Sequence, residues 1–327
     1  MGRHRIQHIM ASLVACVTFM VVILFTTGAF GHKIGLFVNN TIKLSDKFNF
    51  DKYFLDVTPA DWTVLLTPLI YLAQGVWLTY GLILICRQTE EGPMYALYPV
   101  MPPIMYVVFS FSLACNVAWL LIWDKQYMEV ALVFINLMTC TLYICLVVSV
   151  RRLNEFGGLM VRAKLERDIW IIRLFVQNGL AMYACWGSVA AVFNFAIVLT
   201  YQTGLTARRQ EVGSTVSLII FTLEILCWFV LDNFVFERLL RYLISPYIVI
   251  ITSLIGIITK NFDSTKRNSI YSATLLIMAI VLTLIKITLA AWRHYKSPIF
   301  VTKSKKYRRP AISFEVSQLL DRPQCNA

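Results

Sequence analysis

A stripe of aromatic and amide side chains runs along one predicted membrane helix and could bind a flat, mostly apolar ligand. Its members recur at steps of three and four residues within the apolar stretch Trp170–Tyr201: Tyr183, Trp186, Ala190 and Asn194. Polar groups are costly in hydrocarbon unless they face a bundle interior or a cavity. Core packing alone also accounts for such residues, and so does a pocket of aromatic faces beside a few amides. The stripe is the first candidate for function.

Three charged residues lie inside predicted spans: Arg173, Glu224 and Lys286. Glu224 is near the middle of the sixth span, where a carboxylate costs roughly 2.5–3.5 kcal/mol. Lys286 in the eighth span lies at a similar depth, because a helix rises ~1.5 Å per residue. We therefore predict a Glu224–Lys286 pair. A protonated Glu224 bonded to a carbonyl and a proton- or ion-coupling Glu224 are the alternatives.

Motifs for catalysis or metal binding are missing from the sequence. It contains no Gly-rich phosphate loop, no His-Glu-x-x-His and no Gly-x-Ser-x-Gly. All four histidines lie at span ends or outside the spans, and the eight cysteines show no metal-like spacing. We expect a protein without catalytic activity, resident metal or cofactor.

Composition identifies a membrane protein. Hydrophobic residues make up 58% of the 327 residues, above the roughly 45–50% of soluble domains, and the mean hydropathy is +0.67. The formal net charge of +12 does not indicate nucleic-acid binding, because the basic residues flank the spans. The expected partner surface is the lipid bilayer.

Apolar runs long enough to cross a bilayer predict an all-α, multi-pass transmembrane bundle of about eight helices. The runs are Ile9–Phe30, Trp62–Cys86, Pro103–Trp123, Met128–Val150, Trp170–Tyr201, Val216–Leu231, Leu243–Ile258 and Ile270–Trp292. The basic segment Arg151–Asp168 between the fourth and fifth runs predicts a separate surface helix.

Lysine and arginine set the expected orientation. With eight spans, 18 of these residues fall on the side of both termini and ten on the other side, so both termini are predicted to be cytoplasmic. Asn39 then lies in an outward loop as the one Asn-x-Ser/Thr acceptor for glycosylation. We expect a plasma-membrane or endomembrane location rather than the mitochondrial outer membrane.

The first span has a second interpretation. Met1–Gly31 has the basic start, apolar core and small residues of a signal peptide, although its apolar run is long and lacks an Ala-x-Ala site. Cleavage would leave seven spans, the layout of a heptahelical receptor. We favour a retained helix.

Three motifs in order resemble the TspO/MBR (tryptophan-rich sensory protein, translocator protein) family. Leu113, Asn116 and Trp119 match its Leu-x-x-Asn-x-x-Trp, and Tyr183-x-x-Trp186 followed by Asn194 is similar to its Pro-Tyr-x-x-Trp and later Leu-Asn. Tyr71-x-x-x-Gly75 after Trp62 resembles a third family helix. Met182 and Phe193 stand where the family has proline and leucine.

The resemblance implies a five-helix bundle that binds porphyrins, sterols or similar hydrophobic molecules. The residues implied to line the pocket are Asn116, Trp119, Tyr183, Trp186 and Asn194, with Trp62 and Tyr71 near its mouth. The resemblance covers about Ile9–Tyr201, and it implies that residues 1–201 form the five-helix bundle. Residues 202–292 would add three helices and residues 293–327 a basic, disordered cytoplasmic tail.

We therefore expect a protein that binds or transports a hydrophobic small molecule. The alternatives are the seven-span receptor and an ion-coupled transporter that uses Glu224. The sequence leaves the oligomeric state open, a homodimer included.

Overall fold

The computed structural model describes residues 6–26, 53, 55–89, 92–201 and 209–300, and it has the predicted all-α architecture. Eight helices carry the labels α1 to α8. They are α1 Ile6–Thr26, α2 Leu66–Cys86, α3 Pro103–Asp124, α4 Met128–Arg162, α5 Glu166–Tyr201, α6 Arg209–Val230, α7 Ser245–Asn261 and α8 Arg267–Lys296. A 3₁₀ turn, Asp61–Leu65, precedes α2, and a π turn, Leu231–Val235, extends α6. The four-residue helices Met94–Leu97 and Glu237–Leu240 and a small hairpin, Gln88–Thr89 with Gly92–Pro93, complete the described elements.

Seven of the eight helices are long and apolar enough to cross a bilayer. The helix that falls short is α7, with 17 residues, against the roughly 20 that a perpendicular span needs. The predicted fold class, an all-α multi-pass bundle, is therefore confirmed. Seven of the eight predicted spans are long enough to cross, and the remaining one, α7, is a shorter apolar helix.

α5 is the central helix of the bundle. The buried share of its apolar stretch is larger than that of any other candidate span in the described chain. It packs against α2, α4, α6 and α7. α1 and α3 lie on the α2 and α4 side, whereas α8 lies against α6 and α7. α5 thus joins the first four helices to the last three.

α1 is an integral part of this packing. Its residues Ala15 and Val22 are fully buried, and the Phe19 ring meets the Tyr71 ring edge-on with centroids 6.2 Å apart. The packing is what a retained first helix requires.

The predicted surface helix at Arg151–Asp168 is wrong in its bounds, because α4 continues without a break to Arg162. The two glycines there do not end the helix. Gly157 lies directly against the Phe300 ring, so a methyl group at this position would collide with it. The close approach of Phe300 explains a glycine in this helix.

Asn178 fixes the crossing of α5 and α7. Its amide oxygen accepts hydrogen bonds from the backbone N–H groups of Ile244 and Ser245 at 3.0 and 3.1 Å, at the start of α7. Its amide nitrogen donates to the carbonyls of Arg173 and Tyr242 at 2.8 and 2.9 Å. The α5 backbone is a π-helix from Ile172 to Gln177, a local widening common where a polar group inserts into a helix.

The predicted Glu224–Lys286 pair is wrong: the partner of Lys286 is Asp232. The Lys286 ammonium lies 2.6 Å from one Asp232 oxygen, and the Tyr247 hydroxyl donates to the other at 2.8 Å. Both charged side chains are almost completely buried. The predicted span stopped at Leu231, whereas the π turn carries the helix one turn further and includes Asp232 among α6, α7 and α8.

Removing one partner of this ion pair should destabilise the bundle. We expect Lys286→Met to cost about 3–5 kcal/mol of unfolding free energy, because it leaves a buried carboxylate without its counter-charge. Adding Asp232→Asn to Lys286→Met should restore most of the loss in a thermal-unfolding assay of the purified protein. Adding Glu224→Gln instead should restore nothing, and a rescue by Glu224→Gln would reinstate the pairing predicted from the sequence.

Candidate functional site

An apolar cavity lies at the end of the bundle where α1, α3 and α5 end and α2 and α4 begin. Its volume is about 80 Å³. The aromatic and amide side chains in its wall are Tyr71, Asn116, Trp119, Trp123, Tyr183, Trp186 and Phe193, with Thr26, Thr63 and Thr67 as further polar residues. No Asp, Glu, Lys, Arg or His belongs to this wall within the described chain.

A hydrogen bond between α3 and α5 forms the polar centre of the cavity. The Asn116 amide nitrogen donates to the Tyr183 hydroxyl at 2.6 Å. The Asn116 amide oxygen is buried and has no hydrogen-bond partner among the described residues. A buried acceptor without a donor is costly, so a ligand donor placed there gains a hydrogen bond at little further cost.

Tyr71 separates this cavity from a second, larger space. The second space is a groove of about 1060 Å³ on the outer surface, between α1, α2 and the first turns of α5. Thr26, Thr67 and Tyr71 line both spaces. The Tyr71 ring meets the Tyr183 ring edge-on at 6.1 Å, and its hydroxyl interacts with Thr26 and Asn116.

Five of the seven residues predicted for the pocket lie in the cavity wall. They are Tyr71, Asn116, Trp119, Tyr183 and Trp186, from α2, α3 and α5. The helical spacing of the three motifs thus brings them to one place.

Asn194 does not line the cavity. It is fully buried on the face of α5 that packs against α4. With its amide turned to satisfy both atoms, it donates to the Met128 carbonyl at 2.9 Å and accepts from the Leu132 N–H at 3.2 Å. Asn194 therefore joins two helices, and its amide is already used by backbone groups.

Trp62 also lies outside the cavity wall. Its side chain is 41% exposed, and its indole N–H donates to the Thr259 hydroxyl at 3.3 Å. The 3₁₀ turn at Asp61–Leu65 points Trp62 toward α7, while Thr63 and Val64 face the cavity. Trp62 thus ties α2 to α7.

The sequence analysis missed two aromatic residues of the wall. Trp123 is at the end of its span, a position typical of interfacial tryptophans, yet it is buried and its ring lies 5.5 Å from that of Trp119. Its spacing of seven residues from Asn116 places both on one helix face and was the available signal. Phe193 had been noted only as a departure from a motif.

The predicted glycosylation acceptor and most of the predicted C-terminal tail lie outside the part of the chain that the structure describes. Asn39 and the residues after Phe300 lie outside the described residues, and α8 runs to Lys296, past the predicted start of the tail at residue 293. The described residues contain no cluster of three or more His, Cys, Asp or Glu side chains suited to a metal.

The family comparison decides what kind of protein this is. The profile described as TSPO-like protein matches residues 9–288, which is most of the chain. The chain belongs to the TSPO-like protein family. The match extends past Tyr201, where the resemblance noted in the sequence ends, and runs through α6, α7 and most of α8. Neither a curated protein nor a solved structure matches the chain.

Family and helices together establish a multi-pass integral membrane protein of the TspO type. The cavity lies between the helices that carry the three family-like motifs.

Asn194→Ala should destabilise the protein without changing its cavity. The substitution removes two hydrogen bonds to α4, and a buried polar group left unpaired costs about 1–3 kcal/mol. Thermal unfolding of the purified variant should show the loss. Asn136, an exposed asparagine of α4 whose amide nitrogen donates to the Leu132 carbonyl of the same helix, offers the matched control. Equal stability losses for Asn194→Ala and Asn136→Ala would contradict the assignment.

Proposed function

We propose that this TSPO-like protein binds a hydrophobic small molecule, of porphyrin or sterol type, in the groove and cavity that meet at Tyr71. One observation carries the proposal: an apolar cavity with a central amide lies beside a large groove on the outer surface, and the two share Tyr71. Binding sites for such ligands are mostly apolar with few polar groups.

Size decides where the ligand lies. Ligand sites measure roughly 300–1,000 Å³, so a cavity of about 80 Å³ is too small for a porphyrin or sterol. The groove of about 1060 Å³ is large enough for the ligand body. The ligand therefore rests in the groove and reaches the inner cavity with one polar edge.

Tyr71 is the side chain that must move for the polar edge of the ligand to enter the inner cavity. It is held by edge-on contacts with Phe19 and Tyr183. Such aromatic contacts contribute about 0.5–1.5 kcal/mol each, so a ligand that replaces them can displace the ring. The freed Asn116 and Tyr183 then supply one acceptor and one hydroxyl to the ligand.

The two alternative functions gain no support from the site. Glu224 lines neither the cavity nor the groove, as an ion-coupling carboxylate of this pathway would. A receptor with a cleaved signal peptide would lose α1, which supplies Phe19, Ile23 and Thr26 to the groove. We therefore favour binding or transport.

The proposal includes no catalytic step. The cavity and groove residues bring no acid, base or nucleophile pair into contact with bound ligand. The charge count still favours cytoplasmic termini in a plasma membrane or endomembrane, which would place the cavity in the outer half of the bilayer.

Binding of protoporphyrin and of a fluorescent sterol to the purified protein in nanodiscs tests the proposal. Gly75 lines the groove, and a methyl group there has ordinary contact distances to Phe19, so Gly75→Leu should fill the groove without unfolding the helix. We expect Gly75→Leu to weaken binding by at least about tenfold, because it occupies the volume of several ligand atoms. Trp186→Ala should weaken binding less, since it changes only the inner cavity.

Trp292→Ala is the matched control, because Trp292 is an exposed aromatic on α8, away from both spaces. It should bind like the unchanged protein. If neither ligand binds, or if Gly75→Leu and Trp292→Ala behave alike, the proposed site is wrong.

A further inference from the structure

Glu224 presents a carboxylate to the surroundings of the bundle, halfway along α6. Its side chain is exposed, and it makes no hydrogen bond or ion pair with the described residues. An intramembrane carboxylate costs roughly 2.5–3.5 kcal/mol and usually faces the bundle interior or a partner. Glu224 has no cation and no hydrogen-bond partner among the described residues, so the fold itself does not account for it.

Two aromatic rings stand beside this carboxylate. Trp228 follows Glu224 by one helical turn, and its ring lies 6.1 Å from that of Tyr143 on α4. Glu224 is close enough to interact electrostatically with the Tyr143 hydroxyl and the Cys185 thiol. The Tyr143 hydroxyl also lies 3.2 Å from that of Ser188 on α5. Since α4 and α6 both pack against α5, these residues lie together where the three helices meet, and we call this place the trough.

The trough contains an unused hydrogen-bond donor as well. The indole nitrogen of Trp228 is buried and has no acceptor among the described residues. Buried indole N–H groups usually find a partner. The Glu224 carboxylate lacks a cationic partner and the Trp228 N–H lacks an acceptor. One ligand with an ammonium group and a nearby oxygen would supply both.

We propose that this trough is a second binding site, for a lipophilic amine that carries an oxygen acceptor next to its ammonium group, as a long-chain 2-amino alcohol does. The ammonium pairs with Glu224 and faces the rings of Tyr143 and Trp228. The oxygen accepts from the Trp228 N–H. The alkyl chain lies along the face of α6 that carries Glu224 and Trp228, beside the half-buried Ile220 and the exposed Leu231.

Charge favours an amine over a second copy of this chain. Arg173 and Lys286, the described cations that lie within the apolar parts of the spans, are both buried in the bundle. A second copy therefore brings no cation at this depth from the described residues, and pairing two Glu224 residues would add like charge. The trough shares no residue with the cavity or the groove, so this site stands independently of the proposed function.

Photolabelling of the full chain in nanodiscs tests the site. The probe is a long-chain 2-amino alcohol with a diazirine in its alkyl chain, and its N-acetyl derivative lacks the charge. We expect Glu224→Gln to weaken amine binding by at least about tenfold, the effect of one charge-assisted hydrogen bond. Glu129→Gln, at an exposed carboxylate at the start of α4, is the matched control and should change nothing. The N-acetyl derivative should bind the unchanged protein as weakly as the amine binds Glu224→Gln.

Trp228→Phe separates the oxygen contact from the charge. It keeps an aromatic face but removes the N–H, so affinity for the amino alcohol should fall by a larger factor than affinity for a plain alkylamine of equal length. Equal binding by Glu224→Gln and the unchanged protein would overturn the proposal. So would a change in oligomeric state with Glu224→Gln at constant affinity, which would assign the trough to an interface between copies.

Discussion

The structure depends on one constraint: inside a bilayer, each buried polar group needs a partner within the protein. α5 satisfies this constraint with hydrogen bonds to α2, α3, α4 and α7. Gly179 offers its carbonyl to Gln74 on α2 at 2.9 Å, and Asn178 binds the start of α7. Tyr183 meets Asn116 on α3, and Asn194 meets the first turn of α4. These contacts explain why a helix with so many polar residues is the most buried one.

The same constraint distinguishes structural from functional polar residues. Asn178 and Asn194 have both amide atoms engaged, so neither has capacity left for a ligand. Asn116 uses its nitrogen but leaves its oxygen free of described partners. Among the amides of the three motifs, Asn116 is therefore the one prepared to meet a ligand. Glu224 and the Trp228 N–H likewise have no hydrogen-bond partner among the described residues.

The sequence predicted the helices from hydropathy, and the resemblance to the TspO/MBR motifs implied five residues of the cavity wall. Hydropathy located six of the eight helices to within about four residues at each end, whereas α4 continues well past Val150 and α6 begins well before Val216. The motif residues Tyr71, Asn116 and Trp186 lie together in the cavity wall. Features that depend on local backbone geometry were not predictable. The π turn that brings Asp232 to Lys286, and the 3₁₀ turn that directs Trp62 to α7, leave no periodic signature. The separation of the cavity from the groove by Tyr71 depends on how aromatic rings pack, and the residue pattern of a single sequence does not predict such packing.

Residue-level photolabelling with a diazirine sterol and a photoreactive porphyrin tests the central claim most directly. The account predicts labels on α1 near Phe19 and Ile23 and on α2 between Thr67 and Gly75, the walls of the groove. Labels confined to the outer faces of α7 and α8, with none at the groove, would contradict it.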